Sequence, residues 1–383
     1  MTVSAISVDI MFPAFFQMRD DLRTDLAAIQ LTVPVFLVAS GVAQLFYGAF
    51  SDKFGRKAAL YLGLSAFLLG TLIVLMADNA TVLLAGRAVQ GFGAASGPVM
   101  GRAIIRDTHS GQALAQAMAG GMAIFSIGPI IAPLIGYGFI LVGDWRLIFW
   151  FLAAMGALML AVSRFLLQET NTNRDPSALK LSSLRRAFTA IAVNSQSRNF
   201  LMLATLAYMS IFVFLTHAPR IYVEELGTNE LWLSIYFGIT GIGIILGQIA
   251  NRYFLRRLHI LTVMRVASSV LLISSLSMLI AGLNSALSAF GFTALMFLFN
   301  TSFLVVIANS LTLISDPHPK IAGQVSSLFG FTTTIVAAAI AAATIQPIDG
   351  DIIRWSVTMS IITGLVLLIL VAIRRRSIEL RDG

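Results

Sequence analysis

Of the 18 acids in the chain, Asp9 alone stands in the middle of a long apolar stretch, residues 1–18; the others fall in loops or at the ends of such stretches. A carboxyl group at the centre of a membrane helix costs about 2.5–3.5 kcal/mol on insertion scales and is a functional residue by default. It can load and release a proton, or pair with a cationic substrate, so proton and substrate can compete for it. Arg87 is its counterpart. It lies about seven residues, roughly 10 Å, into a stretch entering from the outer side, and Asp9 is about nine residues, about 13 Å, from the outer end of its own. At matching depth Arg87 can sense the charge of Asp9, directly or through Gln90 or water. The plainer readings are an Asp9 bonded to a neighbouring helix and an arginine that snorkels or ties helices together through backbone carbonyls.

Asp52, Arg56 and Asp107 form a second constellation at helix ends, where an arginine can give a bidentate pair to a carboxylate. Capping by Asp52 and topogenic charge are the alternatives there. Gly128, Pro129, Pro133 and Gly136 lie within one apolar stretch: prolines four apart remove backbone bonds on one face, and glycines allow close helix approach. Phe12 and Phe16 share the face of Asp9 and, with Tyr47, Phe125, Tyr208 and Phe212, could wall an apolar cavity for a cationic or aromatic compound. His109, His217, His259 and His318 sit at span ends or in loops with no metal spacing, which reads as surface placement and no metal site. With no cysteine, thiol chemistry is excluded.

These residues need elements that hold them in a bilayer. The chain has 383 residues, 57% hydrophobic and 11% charged, against about 25% charged in a soluble domain. Twelve spans of about 21 residues would place roughly 252 residues in lipid and leave almost nothing for a soluble domain. Apolar stretches cover 1–18, 28–51, 58–77, 80–101, 113–142 and 145–167, then 199–219, 231–250, 259–282, 284–311, 321–346 and 353–373. Strand-like alternation is absent, so helices are expected. If the N-terminus is cytoplasmic, Arg19, Arg23, Arg146, Arg220 and Arg354 face outward and Arg87 lies within a span, leaving the other 20 of 26 basic residues inside. That asymmetry puts both ends in the cytoplasm and accounts for the net charge of +8 without nucleic acid.

The long polar stretch 168–198 separates a first six-helix bundle, 1–167, from a second, 199–383 with a short cytoplasmic tail, and its RRAF segment can form an amphipathic helix on the inner surface. A weak repeat crosses it: GAFSDKF at 48–54 and GQIANRY at 247–253 share Gly, then Asp or Asn four later, then a base and an aromatic. The expected fold is all-α, twelve transmembrane helices in two pseudo-symmetric six-helix bundles.

GAFSDKFGRK at 48–57, with Gly48, Asp52, Gly55 and Arg56, resembles the signature between the second and third helices of major facilitator transporters. LAGRAVQGFGAA at 84–95 resembles their fourth-helix Arg-x-x-Gln-Gly motif, and IGPIIAPLIG at 127–136 the Gly-Pro fifth-helix motif associated with antiporters. Here Ala132-Pro133 stands where a double glycine often closes that motif. SVDIMFPAFFQM at 7–18 and GRAIIRD at 101–107 are similar to the Bcr/CflA drug-resistance branch. The resemblance implies proton-coupled export of drugs or other amphipathic small molecules from the cytoplasm of a bacterium across its inner membrane. It also implies a cavity lined by helices one and four, a cytoplasmic latch of Asp52, Arg56 and Asp107, and a helix-five hinge that serves alternating access.

Direct use of ATP is not expected: a P-loop needs Gly-Lys-Ser/Thr, and Lys53, Lys57, Lys180 and Lys320 are followed by Phe, Ala, Leu and Ile. The expectation is a proton-driven transporter without cofactor, functional as a monomer. The alternative is a dedicated exporter of an endogenous metabolite or siderophore. An intramembrane enzyme would need clustered His, Asp or Glu in the spans, and a receptor on the same fold finds no added sensory domain. Only 18 residues precede Arg19, with no cytoplasmic tail before them, and the expectation is a start site placed late or a trimmed N-terminus.

Overall fold

The computed structural model describes residues 2–172, 174, 181–318 and 321–373, and all regular structure in them is helical. The first span is interrupted. α1 (Thr2–Asp9) stops at Asp9, a 3-10 turn covers Phe12–Ala14, and α2 (Phe15–Asp21) completes the crossing. Pro13 is the cause. It has no N–H to offer the Asp9 carbonyl four residues earlier, and its ring crowds that carbonyl. α3 (Leu26–Gln30), capped by the Asp25 carboxylate on Ala28 N at 2.7 Å, runs into α4 (Thr32–Phe54). Then come α5 (Arg56–Leu75), α6 (Ala80–Ala94) passing through Ala95 into α7 (Ser96–Thr108), α8 (Gly111–Val142) and α9 (Arg146–Phe165). α8 continues through Pro129 and Pro133.

α10 (Leu181–Val193) occupies the polar stretch. After it follow α11 (Ser195–Arg220) with a π-turn at Ile221–Glu225, α12 (Glu230–Leu255), α13 (Ile260–Leu283), α14 (Ala289–Ser315), α15 (Ala322–Ile348) and α16 (Ile352–Ala372). Among the described residues nine helical spans are long and apolar enough to cross a membrane. The other three expected spans are the first and fourth segments, each broken into shorter helices, and α8, whose apolar part is Ile127–Val142.

The chain divides into two compact units, one of residues 1–183 with 230–238, the other of 184–229 with 239–383. In the first, α5 and α6 approach closely because glycines face each other: a Cβ on Gly70 would meet the backbone of Gln90 and Gly86. In the second, Trp355, Phe292, Phe214 and Tyr222 form an aromatic core, with Trp355 and Phe292 centred 5.3 Å apart and the Tyr222 hydroxyl 2.9 Å from Thr293 Oγ1.

Each unit carries an arginine–carboxylate ion pair at one end of its helices. Asp21 Oδ2 accepts from Trp145 Nε1 at 3.0 Å and Arg146 Nη1 at 2.7 Å, while Arg146 Nη2 donates to Ala77 O. In the other unit Arg220 donates to Glu224 and to Asp349, both at 2.7 Å. Asp21 and Arg220 are 199 residues apart, the same offset as the two Gly-x-x-x-Asp/Asn segments, so equivalent positions carry opposite charge.

The bonds from Trp145 and Arg146 hold the Asp21 carboxyl below the usual carboxylate range. Its folded value is depressed, so its contribution is present above about pH 4 and is lost as pH falls through that depressed value. Asp21→Asn should therefore lower the melting temperature at pH 7, by under about 1 kcal/mol of stability for a half-exposed pair. The gap to the unmutated protein should close on acidification; thermal unfolding followed by Trp fluorescence across pH checks both.

Candidate functional site

α6 carries Arg87 and Gln90 one turn apart, and both are fully buried. The Arg87 guanidinium donates from Nη1 to Gln90 Oε1 at 2.5 Å and to Ser7 O at 3.1 Å, and from Nε to Thr32 O at 3.5 Å. Its Cζ lies over the Phe36 ring, 4.3 Å from the ring centre. Gln90 Nε2 donates to Thr71 Oγ1 at 2.8 Å, and that hydroxyl donates to Phe67 O. One side chain thus joins α1, α4 and α6 and, through Gln90, α5. The close approach is needed here: a Cβ on Gly91 would run into the Phe36 backbone.

Asp9 is 5% exposed and forms neither an ion pair nor a hydrogen bond among the described residues. Arg87 does not pair with it; the guanidinium takes the carbonyl of Ser7, two residues upstream, instead. Asp9 sits where Pro13 breaks the span, and α8 is pressed against that break: a Cβ on Gly136 would overlap the Ile10 carbonyl and touch Pro13. The Gly-Pro stretch of α8 and Asp9 are therefore one packed locus within the first unit. Side chains at 122–126 lie outside the described residues, Phe125 among them.

Arg56 is the second buried guanidinium, 6% exposed. It donates from Nε to Asp107 Oδ2 at 2.8 Å, from Nη2 to Asp107 Oδ1 at 3.4 Å, and from Nη1 to Asp52 Oδ1 at 2.6 Å and Ser51 Oγ at 2.8 Å. The Ser51 hydroxyl donates onward to Gly48 O at 2.9 Å. Asp52, Arg56 and Asp107 are thus brought together, with a fork of two bonds on Asp107.

Glu169 and Asn171 were not singled out from the sequence, yet they complete this site. Glu169 accepts from Arg56 N at 2.9 Å and Lys57 N at 3.2 Å, capping α5, and Asn171 Nδ2 donates to Ser51 O at 3.0 Å and Asp52 O at 3.2 Å at the end of α4. Gly55, between the two helices, has φ +103° and lies against the Glu169 carboxylate, so a side chain there would meet both backbone strain and a clash. The available signal was Gly55 itself: a helix start with no capping side chain and no acid in its first turn requires an acceptor from elsewhere.

Several expectations need correction. Phe12 and Tyr47 are fully buried core residues rather than cavity walls. Phe12 packs edge-on to Phe15, and Tyr47 lies in a cluster with Ala43, Ala59, Ala95 and Met100, flanked by Phe46 and Phe92. Phe16 is half-buried beneath Arg19, and Tyr208 meets Phe212 edge-on at 5.7 Å in the second unit. His217 is not on the surface. It is fully buried between α11 and α15, with Nε2 3.2 Å from Thr344 Oγ1. His109 and His259 do lie exposed at helix ends, and His318 is half-buried against Ser197 Oγ at 3.0 Å.

Partial burial pushes the Glu169 carboxyl up, but bonds from the backbone N–H groups of Asn171, Arg56, Lys57 and Thr170 outweigh it and leave it below the usual range. Its contribution is present above about pH 4.3 and lost as pH falls through the depressed folded value. Glu169→Ala should cost about 1 kcal/mol, as loss of a helix cap does, and Glu169→Gln less. Thermal unfolding at pH 7 measures both, and a Glu169→Ala protein as stable as the unmutated one would remove the capping role.

The family model described as Major Facilitator Superfamily matches residues 1–342. The chain is 25% identical over 336 residues to the bicyclomycin resistance protein homolog of Haemophilus influenzae, covering 86% of this chain and 83% of that one. It is 27% identical over 323 residues to the multidrug resistance protein MdtL of Escherichia coli, with 84% and 80% covered. In fold it is similar to the human organic anion transporter MFSD10, at a TM-score of 0.71 and 18% identity over 96% of both chains. A D-xylose–proton symporter superposes with a TM-score of 0.73 at 11% identity, covering 95% of this chain and 94% of that one. A match over 342 of 383 residues, on an all-helical chain with these spans, places the protein among membrane transporters, not enzymes: the chain belongs to the major facilitator superfamily.

Proposed function

We propose that the protein exports drugs or other amphipathic small molecules, cations above all, in exchange for protons across the inner membrane of a bacterium, with both termini in the cytoplasm. The observation that carries this reading is the Asp9 carboxyl, buried in a span at a helix break with no counter-charge among the described residues. A buried acid without a partner is stable as the neutral form or as an anion paired with a cation, and a transported cation and a proton then exclude one another. Facing the cytoplasm, Asp9 releases its proton as it takes the substrate; facing outward, it takes a proton and the substrate leaves. The resistance proteins among the relatives support this substrate class.

Arg87 anchors α1 to α4, α5 and α6 through the carbonyl just upstream of Asp9, so motion of that helix and motion of the carboxyl are coupled. The Arg56 fork on Asp107 is the cytoplasmic latch, made in one state of an alternating-access cycle and broken in the other. Gly136, with Gly128, Pro129 and Pro133 on the same helix, lets α8 shift against the break beside Asp9. The two runs of six spans, joined through 168–198, are the two bundles that rock, and one chain suffices for transport.

Adding tetraphenylphosphonium to lightly buffered purified protein near pH 7 should release protons, read with a pH dye. Asp9→Asn should release none. Absence of release from the unmutated protein, or equal release from Asp9→Asn, would sink the exchange at Asp9. Arg56→Lys keeps the charge but loses the fork, and should slow transport into inverted vesicles about tenfold, in line with loss of one charge-assisted bond; an unchanged rate would remove the latch.

A further inference from the structure

The stretch joining the two runs of spans contains a basic cluster that the transport reading leaves unused. Between positions 176 and 198 stand Lys180, Arg185, Arg186 and Arg198, with no acid among them. α10 lies in this stretch and is too short and polar to be a span. Its Ile191 is buried, whereas Phe188 is 58% and Val193 76% exposed. Apolar side chains left outward on a basic helix beside a membrane suit the boundary between headgroups and acyl chains.

The end of α10 and the start of α11 border a cleft of about 860 Å³ within the second unit. Its polar lining includes Arg185, Thr189, Ser195 and His318, and Ala190 and Val193 supply apolar wall. No carboxylate lines it among the described residues. Arg185 is exposed, and its guanidinium has no hydrogen bond or ion pair among the described residues, unlike Arg56, Arg87, Arg146 and Arg220. A cation with no partner among the described residues, the Ser195 hydroxyl and an apolar wall, with no acid among the described lining, match a phosphodiester attached to hydrocarbon. The Thr189 hydroxyl, which donates to Arg185 O, can accept but has no proton to spare. The orientation set by the basic residues puts the cleft on the side where anionic headgroups attract such clusters.

We propose that this cleft binds the phosphate of an anionic phospholipid of the inner leaflet, with Arg185 as its counter-ion and Phe188 and Val193 against the acyl region. A freely soluble phosphate would have no use for the two exposed apolar side chains. The inference does not depend on proton exchange at Asp9.

Native mass spectrometry of the full-length protein, given phosphatidylglycerol and phosphatidylcholine in equal amounts, tests it. Phosphatidylglycerol should be retained preferentially. Arg185→Ala should lower that preference about fivefold, the effect of one basic residue at an anionic surface. Thr189→Trp, which fills the cleft with Arg185 intact, should lower it too, whereas Arg252→Ala, at an exposed position on the same side outside the cleft, should not. Equal loss in Arg252→Ala would mean general surface charge, and no preference in the unmutated protein would mean no site. Displacement of the lipid by millimolar inorganic phosphate would mean a soluble-anion site. Each of these results overturns the proposal.

Discussion

Arg87 is fully buried, and a charge taken out of water has to find its hydrogen bonds in the protein or destabilise it by several kcal/mol. Here the bonds to other segments come from two helices, through the Ser7 carbonyl of α1 and the Thr32 carbonyl of α4, and Phe36 of α4 adds its ring face, while Nη2 has no partner among the described residues. Gln90 extends the set to Thr71. The glycines of α5 and α6 follow from this demand, since a Cβ on Gly91 or Gly70 would hold the helices too far apart for it to be met. The interruption of α1 beside Asp9, the seat of α8 on that interruption and the depth of the guanidinium all belong to one arrangement.

The turn between α4 and α5 in the first unit solves a similar problem with carboxylates. Arg56 is surrounded by Asp52, Asp107 and Ser51, and the helix it begins is capped by Glu169. The corresponding place in the second unit is neutral: Asn251 stands where Asp52 does, and it accepts from Asn309 Nδ2 at 3.0 Å. An amide pair responds weakly to salt and pH, whereas a carboxylate–guanidinium cluster responds to both. The two segments thus differ in what can disturb them, and in the second Gly247 packs against the Thr301 backbone.

Much of this was legible because hydropathy and charge act locally along the chain. Span positions, the lone acid Asp9, the embedded Arg87 and the Asp52–Arg56–Asp107 group follow from where apolar runs begin and end. What escaped depends on contacts far apart in sequence or on the backbone. Arg87 meets Ser7 through a carbonyl that every residue type possesses, so no residue code announces it. His217 lies near a span end in sequence, but α15 covers it, and covering by a distant helix is invisible to hydropathy. Phe12 and Tyr47 have the composition of ligand-binding aromatics and the environment of core ones, a difference only packing decides.

Glu169 caps a helix that begins 113 residues earlier in the chain. The turn at Gly55 is thereby held by a residue made only after the sixth span. During synthesis the turn at Gly55 must wait, with α5 uncapped, until the chain has been made as far as Glu169. A chain interrupted before residue 169 would carry α1 to α9 and still lack the carboxylate that caps α5 at the Gly55 turn.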